Sequence, residues 1–143
     1  MFLNILVAID GSKSSLEALE KAVDLAQAMG SKLTLITVAP PPSYYVTLAG
    51  VNPEMMKKEL DNWAETTLKD AASLVPDDVI AHRVHRSGQA GPEIVGELEH
   101  GGYDLIVLGT RGRGRAQEGL LGSVNAYLHF HSGVPLLSVP ESA

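Results

Sequence analysis

"LNILVAIDGSKSSLEAL" runs from Leu3 to Leu19, and its first seven residues decide the fold. Leu3 to Ile9 is a continuous apolar run rich in branched side chains. A run of this kind suits a strand buried on both faces, as in a parallel sheet. "DGSKSS" ends it, and Ser14 with Glu17 has the form of a capping box. Leu16, Leu19, Val23, Ala26 and Met29 then repeat at helical spacing, and Gly30 supplies the stop.

The same grammar continues outward. "KLTLITV", ending at Val38, reads as a second strand. "APPPSYYVTLAGV", residues 39–51, is a connection with three consecutive prolines whose conformation cannot be read. Asn52 and Pro53 look like an N-cap with proline at the first helical position. Met56, Leu60, Trp63, Thr67, Ala71 and Leu74 mark one face of the long helix that follows. "DDVIAHRVHR" is a third, more polar strand, expected near an edge, and "GQAGPEIVGELEHGG" a short helix closed by glycines. "YDLIVLG" is a fourth buried strand; after a glycine-rich connection come a helix from about Ser123 to Ser132 and a fifth strand, "VPLLSVP". Strands alternating with helices mean a parallel α/β sheet with helices on both faces. No repeat or linker interrupts residues 1–143, so one domain is expected.

Composition narrows the function. The 143 residues carry a formal charge of −6, which argues against general nucleic-acid affinity. There is no cysteine, which excludes disulfides and thiolate metal sites and fits a reducing compartment. No apolar run approaches the ~20 residues of a membrane span. "MFLNILVAIDG" lacks the basic start and cleavage site of a signal peptide, so a cytoplasmic protein is expected.

In open α/β sheets ligands collect beyond the carboxyl ends of the strands, where strand order reverses. That singles out Ala8-Ile9-Asp10 after strand one and Leu108-Gly109-Thr110-Arg111-Gly112 after strand four. "GTRGRGRAQEGLLGSVN", Gly109 to Asn125, holds five glycines and three arginines. Glycines let backbone N–H groups converge on phosphate oxygens, and Gly122-Ser123 opens a helix whose N-terminus favours negative charge. The competing reading is a solvent loop with a plain serine N-cap, and Asp10 likewise reads either as a ligand contact or as a cap of its turn.

Familiar signatures are missing. Gly109 to Gly114 has Walker A glycine spacing, but Arg115-Ala116 follows in place of Lys-Ser/Thr. "DGSKSS" is no dinucleotide fingerprint, and a receiver's second acid and its lysine after strand five are lacking. His82 and His85 are three apart on a strand, and His129 and His131 two apart on a helix; neither pair shares a face to hold a metal. Ser12 has no histidine base placed to make it a nucleophile. Met55, Met56, Tyr44 and Tyr45 read as packing or cover residues.

Gly109-x2-Gly112-x9-Gly122-Ser123 resembles the nucleotide-binding motif of the ATP-binding branch of the universal stress protein family. "ILVAIDGSKSSLEAL" is similar to that family's opening, Gly88 and Ile94 to its third βα connection, and "DLIVLGTRGRG" and "GSVNAYLHFHSGVPLLSV" to its closing half. The resemblance implies a Rossmann-like five-stranded parallel sheet of order 3-2-1-4-5, ATP as ligand with Mg2+, and a homodimer. It implies that Asp10 contacts ribose or a phosphate-bound metal, and that Val38 borders adenine. Gly109, Gly112, Gly122 and Ser123 would form the phosphate cradle, continued by Val124 and Asn125. Asn125, Ala116, Gln117 and Phe130 depart from the family pattern; the Asn125 amide could still donate to a phosphate.

Three functions follow: a regulatory ATP-binding module acting in stress adaptation, a slow ATPase or phosphotransferase, or a dimeric interaction protein without nucleotide. The first is preferred, because no convincing catalytic base is present; Glu118 lies in the glycine-rich segment without an assigned role. ATP is expected over GTP, since guanine's exocyclic groups lack partners among apolar strand ends. The dimer is expected through Leu136 to Val139, an apolar edge that its own copy would cover.

Overall fold

The computed structural model describes residues 1–41, 50, 52–110 and 122–142. Within them lie β1 (Asn4–Ala8), α1 (Lys13–Met29), β2 (Lys32–Ala39), α2 (Pro53–Ala72), β3 (Ala81–Ser87), α3 (Ala90–Gly101), β4 (Leu105–Gly109), α4 (Gly122–His131) and β5 (Leu136–Val139). The five strands form one sheet of order β3-β2-β1-β4-β5, every pairing parallel. The arrangement expected from the resemblance is thus the one observed.

β1 is the centre of the sheet, and its continuous apolar character follows from that place. Val7 pairs with Leu35 on one side and Val107 on the other. Ile5, Val7 and Ile9 face a layer made by α1 and α2, where Leu19, Ala22, Val23, Leu68 and Ala71 are buried. Leu6 faces the opposite layer, where Ile94 and Leu98 of α3 and Leu128 of α4 pack with Ile36, Ile106 and Leu108. Each fully buried Leu, Ile or Val contributes roughly 1.5–3 kcal/mol. A polar residue at Ile5, Leu6 or Val7 would therefore meet apolar surface whichever way it pointed, whereas Asn4 at the strand's start gives its amide to the Gly102 carbonyl.

Several local expectations hold. Asn52 caps α2, its side-chain oxygen accepting from the N–H groups of Glu54 and Met55 at 2.8 and 3.3 Å. Gly30 ends α1 in the left-handed region at φ 72°, open to glycine without a Cβ penalty. β3 is the outer strand of one edge. His82 is exposed, whereas His85 is half-buried with Asp61 of α2 3.7 Å from its Nε2.

Others need correcting. The cap of α1 is Ser12, whose hydroxyl accepts from Ser15 N–H at 3.1 Å. Ser14 lies inside the first turn, fully buried, so the Ser14–Glu17 box is not the start of this helix. Of the expected stripe on α2, Ala71 is buried and Met56, Leu60, Trp63 and Thr67 are half-buried, while the buried Ala64 and Leu68 lie outside it. Leu74 lies past the helix end and is exposed, as is Met55. Most of the 39–51 connection, Tyr44 and Tyr45 included, lies outside the described residues.

Candidate functional site at the carboxyl rim

The faces on which the helices pack decide where a ligand could sit. α1 leaves β1 on one face of the sheet, whereas α4 leads from β4 to β5 on the other. β1 and β4 are neighbours, so the chain diverges at their shared carboxyl end, which is the switch point expected to open a crevice.

The end of β1 is tightly self-bonded. Ile9 N–H donates to Ile36 carbonyl at 2.8 Å, and the buried Thr37 hydroxyl donates to the Ile9 carbonyl. Asp10 follows, half-buried; its Oδ1 accepts from Ser12 N–H at 2.9 Å, and its own N–H donates to Ser15 Oγ at 3.3 Å. Asp10 therefore caps its turn at the rim.

The end of β4 is held from both sides. A Cβ on Gly109 would lie 2.2 Å from Ser14 Oγ and 2.6 Å from Ser14 carbonyl oxygen. No side chain fits there, because the first turn of α1 lies directly on the strand. On the α4 side, Asn125 Nδ2 donates to the Gly109 carbonyl at 3.0 Å. One end of one strand thus receives the first turns of two helices, and neither turn carries an acidic residue.

The residues singled out in the sequence divide into three groups. Ala8, Val38 and Val124 are half-buried and pack on the same α3/α4 layer, leaving apolar surface at the rim. Ile9 and Leu108 are 3% and 4% exposed, on opposite faces, so neither side chain is available to a ligand. Gly122 is the first residue of α4, Ser123 is exposed in its first turn, and Asn125 is half-buried. Arg111, Gly112, Arg113, Arg115, Ala116, Gln117 and Glu118 lie outside the described residues.

Two neighbours of the site had no mark in the sequence. Thr37 ties the ends of β1 and β2 together, and nothing local separates it from any other strand threonine. Arg86 pairs with Val38 in register and donates to Glu93 and Glu97 of α3 at 2.9 and 3.1 Å. The hydrogen bond to Glu93 is the main reason its guanidinium stays protonated even more firmly than usual. This charge is balanced within the protein and orients α3. Among the described residues no group of three or more His, Asp or Glu could hold a metal ion. Within the same residues no helix is long and apolar enough to cross a membrane.

Comparison with known proteins bears on this geometry. The family model described as the universal stress protein family matches residues 1–140. The chain is 32% identical, over 149 aligned positions, to the universal stress protein YxiE of Bacillus subtilis, covering 97% of this chain and 99% of that protein. The fold is similar to that of hypothetical protein MJ0577, with a TM-score of 0.86 at 23% identity, covering 100% and 99% of the two chains. It is also similar to a universal stress protein solved in complex with cAMP, with a TM-score of 0.75 at 25% identity and 99% of each chain covered.

Proposed function

The chain belongs to the universal stress protein family, and from that premise we propose that it is an ATP-binding regulatory protein of the stress response. The observation that carries the reading is the start of α4, which has no first-turn acid and is tied through Asn125 to the glycine at the end of β4. The N–H groups and dipole of a helix N-terminus favour an anion there. Phosphates would lie against Gly109, Arg111, Gly112, Gly122 and Ser123, continued by Val124, and the nucleoside would lie along Ala8 and Val38. The related protein bound to cAMP supports an adenine nucleotide as the class of ligand.

Mg2+ would arrive with the triphosphate, because Asp10 is the one carboxylate this reading assigns to it. The ion would spread the phosphate charge; the chain's own residues bind and orient. Without an assigned base or water-orienting group, the protein acts by occupancy and not by turnover, in the cytoplasm. Leu137 and Ser138 are exposed on the outer edge strand β5, which supports pairing with a second copy into a homodimer. Scattering at micromolar concentration is expected to give twice the monomer mass.

The deciding experiment is a titration of the purified protein with ATP, GTP and cAMP, after chromatography of any nucleotide it already carries. ATP is expected to bind with Mg2+ and to exceed GTP. Equal affinity for ATP and GTP removes the adenine assignment, and no binding of any nucleotide removes the reading.

A further inference from the structure

The Asn125 amide at this rim is already engaged within the protein. Its Nδ2 donates to the carbonyl of Gly109, sixteen positions away in the chain, at 3.0 Å. The same glycine is pressed on its other side by Ser14 of α1, so closely that a Cβ has no room. The contact with Ser14 fixes where the end of β4 lies. The bond from Asn125 then fixes where the first turn of α4 lies relative to it. Val124 and Leu128 anchor the same helix in the α3/α4 core, but apolar contacts are non-directional and tolerate small slides along the axis. A hydrogen bond is directional and weakens steeply off its angle.

We infer that Asn125 is a positioning residue for nucleotide binding: its amide clamps α4 to the end of β4 and so aims the helix N-terminus at the phosphates. The inference rests on the ATP-binding reading above. It assigns the amide a partner within the protein, where the sequence left a direct phosphate contact open. The effect belongs to the phosphate half of the ligand, since the nucleoside half is assigned to Ala8 and Val38 on strands the bond does not touch.

The test compares ATP with adenosine on the full chain and on Asn125→Ala, with thermal melting of both. ATP affinity is expected to fall about fivefold, the size of one lost hydrogen bond. Adenosine affinity is expected to stay within about twofold, as its contacts are untouched. Unchanged ATP affinity in the folded variant overturns the inference. Equal losses for ATP and adenosine overturn it too, since a general loosening of the fold would weaken both. A parent chain that binds ATP while the variant binds it equally well sinks only this inference; a parent that binds neither ligand sinks the nucleotide reading beneath it.

Discussion

The connections β1 to α1 and β4 to α4 leave neighbouring strands at the same rim, and each leads to a helix N-terminus. Residues 9–12 make the first, and it satisfies itself. Asp10 accepts from Ser12, Ser12 accepts from Ser15, and Ser15 Oγ donates to the Ser12 carbonyl. Residues 110–121 make the second. α4 then opens on Gly122-Ser123, with its first turn tied to β4 through Asn125. The contrast separates two uses of one motif. The N-terminus of α1 has side chains of its own to occupy its donors, so its first turn serves as a floor on which β4 rests. The start of α4, small and unacidic, is the one suited to an anion from outside.

Substitutions can break that division. Gly109→Ala should have the largest effect, because the new methyl would meet backbone of α1 as well as Ser14 Oγ. Overpacking of this kind costs about 3 kcal/mol, or about 10 °C in Tm for a chain of this size. Calorimetry showing parental stability would mean that α1 does not rest on β4 as described. Gly122→Glu should leave the fold standing and lower ATP affinity at least tenfold, about 1.4 kcal/mol, through bulk and like charge. Titration with ATP at parental affinity, in a variant that melts like the parent, would show that the start of α4 is no phosphate site.

Two smaller effects sharpen the contrast. Ser12→Ala removes a helix cap and should lower stability by about 1 kcal/mol. Its ATP affinity should stay within about twofold, whereas Ser123→Ala should do the reverse. Melting and titration of the pair test this, and a Ser12→Ala variant that loses ATP while melting normally would place the ligand on α1. Asp10→Asn keeps an oxygen to accept from Ser12 N–H, so Tm should hold. Only the Mg2+-dependent part of ATP affinity should shrink, read by titrating with and without the ion. If affinity is unchanged in both, Asp10 is a turn cap and nothing more.

Glu17 offers a pH handle on the floor of the site. Hydrogen bonds from Ser142 hold its carboxyl below the usual carboxylate range. A depressed folded pKa contributes stability above the unfolded value and loses it as pH falls through the folded one. The C-terminal tail should therefore loosen from α1 on acidification, and Glu17→Gln should loosen it at neutral pH. Amide exchange at Ser142 would report both.

Much of this molecule was legible in one dimension. The unbroken run in β1 and "LIVL" in β4 announced strands covered on both faces, because burial on two sides removes any need for polar alternation. The helical repeat in α1, the Asn52-Pro53 start of α2 and the Gly30 stop are local signals, set by 3.6-residue periodicity and by backbone freedom at single positions. The glycine–serine spacing falls between the end of β4 and the start of α4, at the carboxyl end of the sheet. What no local pattern carried was contact between layers. Ser14 has the look of a cap and is instead buried floor. Gly109 has the look of a phosphate glycine, and the contact seen to require it is a helix first turn lying on it. Asn125 has the look of a ligand donor, and its amide is given to a carbonyl on another element. Each of these was decided by how closely α1 and α4 approach β4, a distance set by the packing of two cores on either side of the sheet and encoded at no single position of the chain.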